Sequence, residues 1–198
     1  MKSALAACRR SLALIVALSA SFAVPAAEPD TEAYVREARQ LTGQFARELK
    51  GALQAAIEAG GPVNAISVCR EEAPGIAGQL SQQSGWAVGR TALRVRNPRN
   101  APSVRERAVL LDFQARLAAG EPPQAIERAT VVAEGGDRYL HYMRAIPTAE
   151  VCTLCHGASI ERGLQDTIRA SYPADAATGF EVGELRGAFT FVRPLSAE

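Results

Sequence analysis

The stretch T-V-V-A-E-G-G-D-R-Y-L-H-Y-M, residues 130–143, reads as two extended runs joined at Gly135-Gly136. A glycine pair between short runs rich in β-branched and aromatic residues is a hairpin signal. The segment predicts antiparallel pairing, and G-A-F-T-F-V at 187–192 predicts a further strand. Upstream the period changes. Over residues 30–59 apolar side chains recur at Tyr34, Ala38, Leu41, Phe45, Leu49, Leu53 and Ala56. Steps of three and four mark an amphipathic helix, stopped by Gly60-Gly61-Pro62. Pro62 opens a second helix, P-V-N-A-I-S-V-C-R-E-E-A, expected to end near Pro74, and a third short helix follows to Ser84. L-R-V-R at 93–96 alternates like a strand and N-P-R-N-A-P breaks it. Ser103 with Glu106 is a capping box for a helix running to Gly120, and another short helix is expected near Ile160 to Ala170. Helices first and hairpin-connected strands later predict an α+β fold, an antiparallel sheet flanked by helices.

Behind the hairpin comes E-V-C-T-L-C-H-G, residues 150–157. Two cysteines two residues apart, with a histidine directly after the second, form the pattern of covalent haem attachment. Cys152 and Cys155 would make thioethers to the haem vinyl groups, and His156 would bind the iron on one face. The rivals need features the sequence supplies poorly. A thioredoxin-like pair wants a preceding strand in a βαβ setting and no trailing histidine. A zinc site needs one more ligand, from Cys69 or His141. A plain disulfide leaves the histidine unexplained. The expectation is one covalent haem c per chain.

Residues 1–27 agree with that chemistry. A basic start (Lys2, Arg9, Arg10), an apolar run of about 14 residues and a small-residue exit (Val24, Ala26, Ala27) describe a secretory signal peptide, too short to span a bilayer. L-A-A-C at 5–8 precedes the apolar run, so Cys8 is expected to be removed with it. The mature chain, a single domain over 28–198, is then periplasmic, where covalent haem attachment takes place, with no stable membrane insertion. Signal removal takes three of 22 basic residues and none of 21 acidic ones, leaving 19 against 21, a formal charge of −2. Nothing in that balance suggests nucleic acid. Lys50 is the only lysine left, so a lysine ring for partner docking is excluded.

The second axial position has three candidates, Cys69, His141 and Met143. His141 and Met143 are two apart on a predicted strand and share one face of the sheet, where packing beside Tyr139 explains both. Cys69 lies mid-helix, where a lone cysteine is usually a small apolar residue. In an oxidising compartment, however, an unpaired thiol needs burial or a metal. These residues, and an open or water-bound site, stay level on physical grounds.

Several segments in order resemble the Tll-type haem c domain family, formerly a domain of unknown function. They are N-A-I-S-V-C-R-E-E-A-P-G-I-A, G-R-T-A-L-R-V-R-N-P-R-N-A-P, C-T-L-C-H-G and Y-P-A-D-A-A-T-G-F-E-V-G-E-L-R-G-A-F. The resemblance covers most of the mature chain. It implies a PAS-like fold with a long N-terminal helix and one covalent haem, the iron held between His156 and Cys69. Val104 stands where the family often has an aromatic residue, a difference expected to lie in the core. A thiolate ligand stabilises ferric iron and lowers the potential, and Arg70 or the ferric ion would keep it deprotonated. Arg90, Arg94 and Arg96 are candidate partners for the haem propionates, their alternative being a solvated basic strand face. Tyr172, Asp175 and Gly179 read as turn and cap chemistry without a catalytic role.

Two function classes follow. The first is an exported mono-haem cytochrome, an electron carrier or a redox or gas sensor that relays to another protein. The second is a peroxidase-type enzyme, which needs an open iron site and a distal acid–base residue. His141 is the one spare histidine for that role, so the non-enzymatic reading is preferred.

Overall fold

A computed structural model describes residues 31–195. The expected signal peptide lies outside them. Helix α1 (Thr31–Ser67) is broken at Gly60 and Gly61, where helical torsions fail and Gly61 takes a φ of 74°. That left-handed torsion needs glycine, and Pro62 restarts the helix with the φ it already has. The break falls where the sequence predicts one. The second half does not end at Pro74, however. The chain widens into a π-helical stretch, Val68–Glu72, and continues as α2 (Ala73–Ser84). The Ala73 N–H reaches back to the Val68 carbonyl, a bond five residues long. Pro74 then sits at the start of α2, where a missing N–H costs little, and the wide turn spares its ring a clash with the preceding carbonyls.

Strands β1 (Ala87–Thr91), β2 (Glu127–Glu134), β3 (Asp137–Pro147) and β4 (Leu185–Pro194) form one antiparallel sheet in the order β1-β4-β3-β2. The β2–β3 hairpin turns at Gly135-Gly136, both at positive φ, as the sequence predicts. The first strand is not L-R-V-R but A-V-G-R-T, six residues earlier. Residues 93–96 leave the sheet because Arg94 and Arg96 are drawn to the backbone of residues 177–179. At that exit Gly187 passes so close that a Cβ would lie 2.5 Å from the Thr91 carbonyl oxygen.

The sheet separates two cores. On one face Leu140, Tyr142, Phe189 and Phe191 pack against Val35, Ala38, Leu41 and Phe45 of α1, with Leu80 and Trp86. On the other, Met143, Ala145 and Ala188 meet Leu110 and Phe113 of α3 (Val104–Ala118). The capping box starts α3 as expected: Ser103 Oγ accepts from the Glu106 N–H, and Glu106 accepts from the Ser103 N–H. Val104 corrects an expectation. It is 91% exposed in the first turn of α3, which projects beyond the core, so its difference from the family is a surface one. A third cluster joins Ile66 of α1 to Leu164 and Ile168 of α5 (Arg162–Ser171) and to Tyr172, with Cys155 packed against it.

Truncating Phe45, 1% exposed between helix and sheet, removes a whole ring from the main core. Phe45→Ala should cost about 3–5 kcal/mol in denaturant unfolding. Ser103→Ala, which removes one cap acceptor, should cost about 1 kcal/mol.

Candidate functional site

Helix α4 (Glu150–His156) carries the C-x-x-C-H residues on two turns. Cys152 and Cys155 are three apart and share a face. Both thiols, like Cys69, are unpaired and half-buried, so neither motif cysteine is spent on a disulfide. The helix ends at Gly157, where a Cβ would lie 2.5 Å from the Thr153 carbonyl oxygen. The loop at residues 177–180 docks on this end. The Gly179 and Phe180 N–H groups donate to the Gly157 and His156 carbonyls, each at 2.9 Å.

The same loop fixes the histidine. His156 Nδ1 lies 2.7 Å from the Ala177 carbonyl oxygen. A carbonyl only accepts, so the proton is on Nδ1. Burial, helped by the charges of Arg186 and Arg96, lowers the His156 pKa to about 2. The imidazole is therefore neutral and its Nε2 carries a bare lone pair, the arrangement that metal-binding histidines use.

Arg96 holds the loop in place. One guanidinium nitrogen donates to Cys155 O at 2.6 Å, to Asp175 Oδ2 at 3.0 Å and to Ala177 O at 3.2 Å. Asp175 also accepts from the Ala177 N–H. Its part in the turn matches the sequence reading, while Tyr172 is buried in the third cluster. Arg94 lies over the Phe180 ring, 3.5 Å from its centre, and donates to Thr178 O. Gly179 takes its turn at φ 74° beside this guanidinium.

Of the three arginines proposed for propionates, Arg94 and Arg96 thus have protein partners. Arg90 has no carboxylate partner among the described residues, and the sequence reading missed a companion, Arg186. Arg186 stacks over Phe180 and donates to the Arg94 carbonyl. Burial, with repulsion from Arg96 and Arg90, lowers its pKa to about 10, while Cys69 and Asp175 act in the opposite direction. Burial also lowers Arg90, and Cys69 and Tyr172 oppose the shift. The signal for Arg186 in the sequence is a charged residue set between Leu185 and the buried run Gly187–Phe189.

Cys69 lies in the π-helical stretch and lines a cavity of about 240 Å³ with Phe45, Val88 and Arg90. It is close enough to Cys155 to help burial raise that thiol's pKa. His141 and Met143 are on the opposite, α3 side of the sheet. Among the described residues no group of three or more His, Cys, Asp or Glu is placed to hold a bare metal ion. Two thiols, a neutral imidazole with a free Nε2 and two half-buried cations without carboxylates instead suit an iron porphyrin with anionic side arms. The buried, unpartnered Nε of Arg96 fits the same need for a further acceptor.

The profile of the Tll0287-like family matches residues 22–194. The chain belongs to the Tll0287-like family. Its fold is similar to the crystal structure of the cyanobacterial heme-protein Tll0287, with a TM-score of 0.63 and 24% identity over 87% of this chain and 99% of that one. The four-stranded antiparallel sheet and long N-terminal helix are PAS-like, in agreement with the fold read from the sequence. Comparison with curated proteins gives no match.

In this Tll0287-like chain, Arg96→Ala should leave Asp175 as an uncompensated buried charge and cost about 3–5 kcal/mol. Arg94→Ala removes exposed contacts and should cost no more than about 1 kcal/mol. Urea unfolding of both variants checks the contrast.

Proposed function

We infer that the protein is an exported mono-haem c-type cytochrome, acting in electron transfer or in redox or gas sensing and performing no substrate chemistry of its own. The observation that carries this reading is His156. It follows C-x-x-C on α4, is neutral, and presents Nε2 because Ala177 O occupies the proton on Nδ1. Cys152 and Cys155 would hold the haem covalently, and Cys69 would be the ligand opposite His156. Arg90 and Arg186 would face the propionates and the thiolate, which matches their lack of carboxylate partners among the described residues. The haem would supply a one-electron couple biased to the ferric state by the thiolate and, on loss of the sulfur ligand, a place for a small gas.

The family membership and the haem protein of similar fold support this reading. The peroxidase alternative gains no support from His141, which is tied to Thr190 across the sheet from Cys69. An exported carrier or sensor needs an electron or signal partner. With Lys50 the only lysine after signal removal, arginine and polar surface would have to form that contact.

Acid–acetone treatment of protein matured in a competent host should leave the haem on the chain; colour that extracts would defeat the proposal. In the ferric optical and electron-spin spectra, Cys69→Ala should convert a low-spin signal to high-spin and raise the midpoint potential. His141→Ala and Met143→Leu should leave the spectra as they are. A Cys69→Ala protein matching the parent in spectrum and potential would remove Cys69 from the iron.

A further inference from the structure

A cavity of about 970 Å³ opens on the other side of the sheet, between the first turns of α3 and strands β2, β3 and β4. Its apolar lining includes Met143, Tyr139, Val192 and Val109, and His141 and Thr130 also face it. The cross-strand register sets Thr130, His141 and Val192 in one row, with Arg128, Met143 and Thr190 in the next. His141 is 7% exposed.

A hydrogen-bond relay fixes the state of this imidazole. Thr190 donates its hydroxyl proton to Glu106 Oε1 at 2.7 Å. A threonine hydroxyl has one proton, so toward His141 Nε2, 2.9 Å away, Thr190 Oγ can only accept. His141 therefore carries its proton on Nε2. Among the described residues Nδ1 has no hydrogen-bond partner, so a neutral ring offers an unused lone pair. The electrostatics agree. Burial lowers the His141 pKa, with Glu106 opposing and Arg105 assisting. Burial acts to raise Glu106, but hydrogen bonds from Ser103 and Thr190 hold it below its ordinary range.

The charges around the cavity are already engaged. Arg105 pairs with Glu134 at 3.7 Å and Arg128 with Asp112 at 2.9 Å. Glu106 is occupied by Ser103 and Thr190. A charged ligand would compete with these arrangements, whereas an uncharged one meets apolar walls and, on His141 Nδ1, an acceptor not yet engaged.

We propose that this cavity is a second ligand site, for a small uncharged molecule with an apolar body and one acidic O–H donor, of which a phenol is the simplest, and that His141 Nδ1 accepts its hydrogen bond. The site is independent of the haem reading, being built from different residues on the opposite face of the sheet.

Met143 lines the cavity and is the only methionine besides Met1, so a methyl-labelled methionine is a specific reporter. The exported protein is titrated with phenol and with anisole, which has the same shape but no donor. Phenol should move the Met143 methyl resonance saturably and bind about tenfold more tightly than anisole, the scale of one well-made hydrogen bond. In His141→Leu the two should bind alike. In Thr190→Val the imidazole remains but the relay that fixes its tautomer is lost, and the preference for phenol should shrink. That second variant decides the matter if the first does not fold. No saturable shift, equal affinities in the parent protein, or a preference for phenol that survives in the variants overturns the proposal. Retained selectivity with a changed haem spectrum would do the same, since it would place the probe at the iron.

Discussion

The Arg96 guanidinium is the interaction on which the site depends. It is 5% exposed and binds at once the carbonyl of Cys155, the carboxylate of Asp175 and the carbonyl of Ala177. One planar group thereby joins the end of α4, the turn after α5 and the irregular segment following β1. Ala177 then determines which nitrogen of His156 keeps its proton. Arginine suits this junction because its donors are rigid and it stays charged when buried.

Around that junction the chain gathers positive charge. Arg90 and Arg186 stand near Cys69 and His156, and Asp175 alone cannot balance them and Arg96. Burial, together with the repulsion of cations crowded with little compensation, lowers the Arg186 pKa to about 10. Such an arrangement pays in stability for a readiness to accept anions. The Phe180 ring offers Arg94 and Arg186 an aromatic face that each guanidinium lies over, which favours their charged forms.

Much of this was legible in the sequence where the signal is local. The hairpin at Gly135-Gly136, the capping box at Ser103 and Glu106, and the C-x-x-C-H triplet each depend on a few adjacent residues. What eluded the sequence depends on distant partners. Strand β1 contains a glycine and an arginine and lacks alternation; it is a strand because Val88 and Arg90 stand opposite Phe191 and Phe189 of β4. Arg94 and Arg96 alternate as a strand would, yet their side chains are anchors for a loop some 80 residues away. Pro74 looked like a helix stop because a π turn that accommodates it has no simple signature. Arg186 gave only the faint signal of a charge beside a buried run.

The glycine pair in α1 has a mechanical consequence. The helix before it is anchored through Val35, Leu41 and Phe45 to the sheet, and the helix after it through Ile66 to α5. Gly60 and Gly61 leave the helical torsions where the two lengths meet, and Asn64 Nδ2 donates across the break to the Ala56 carbonyl at 3.2 Å. Bending is cheapest there. The joint lets the segment leading to Cys69 run in a direction of its own before α2 ties it back to the main core through Leu80. The two lengths of α1 are thus aimed separately, one at the sheet and the shorter one at the wide turn that carries Cys69.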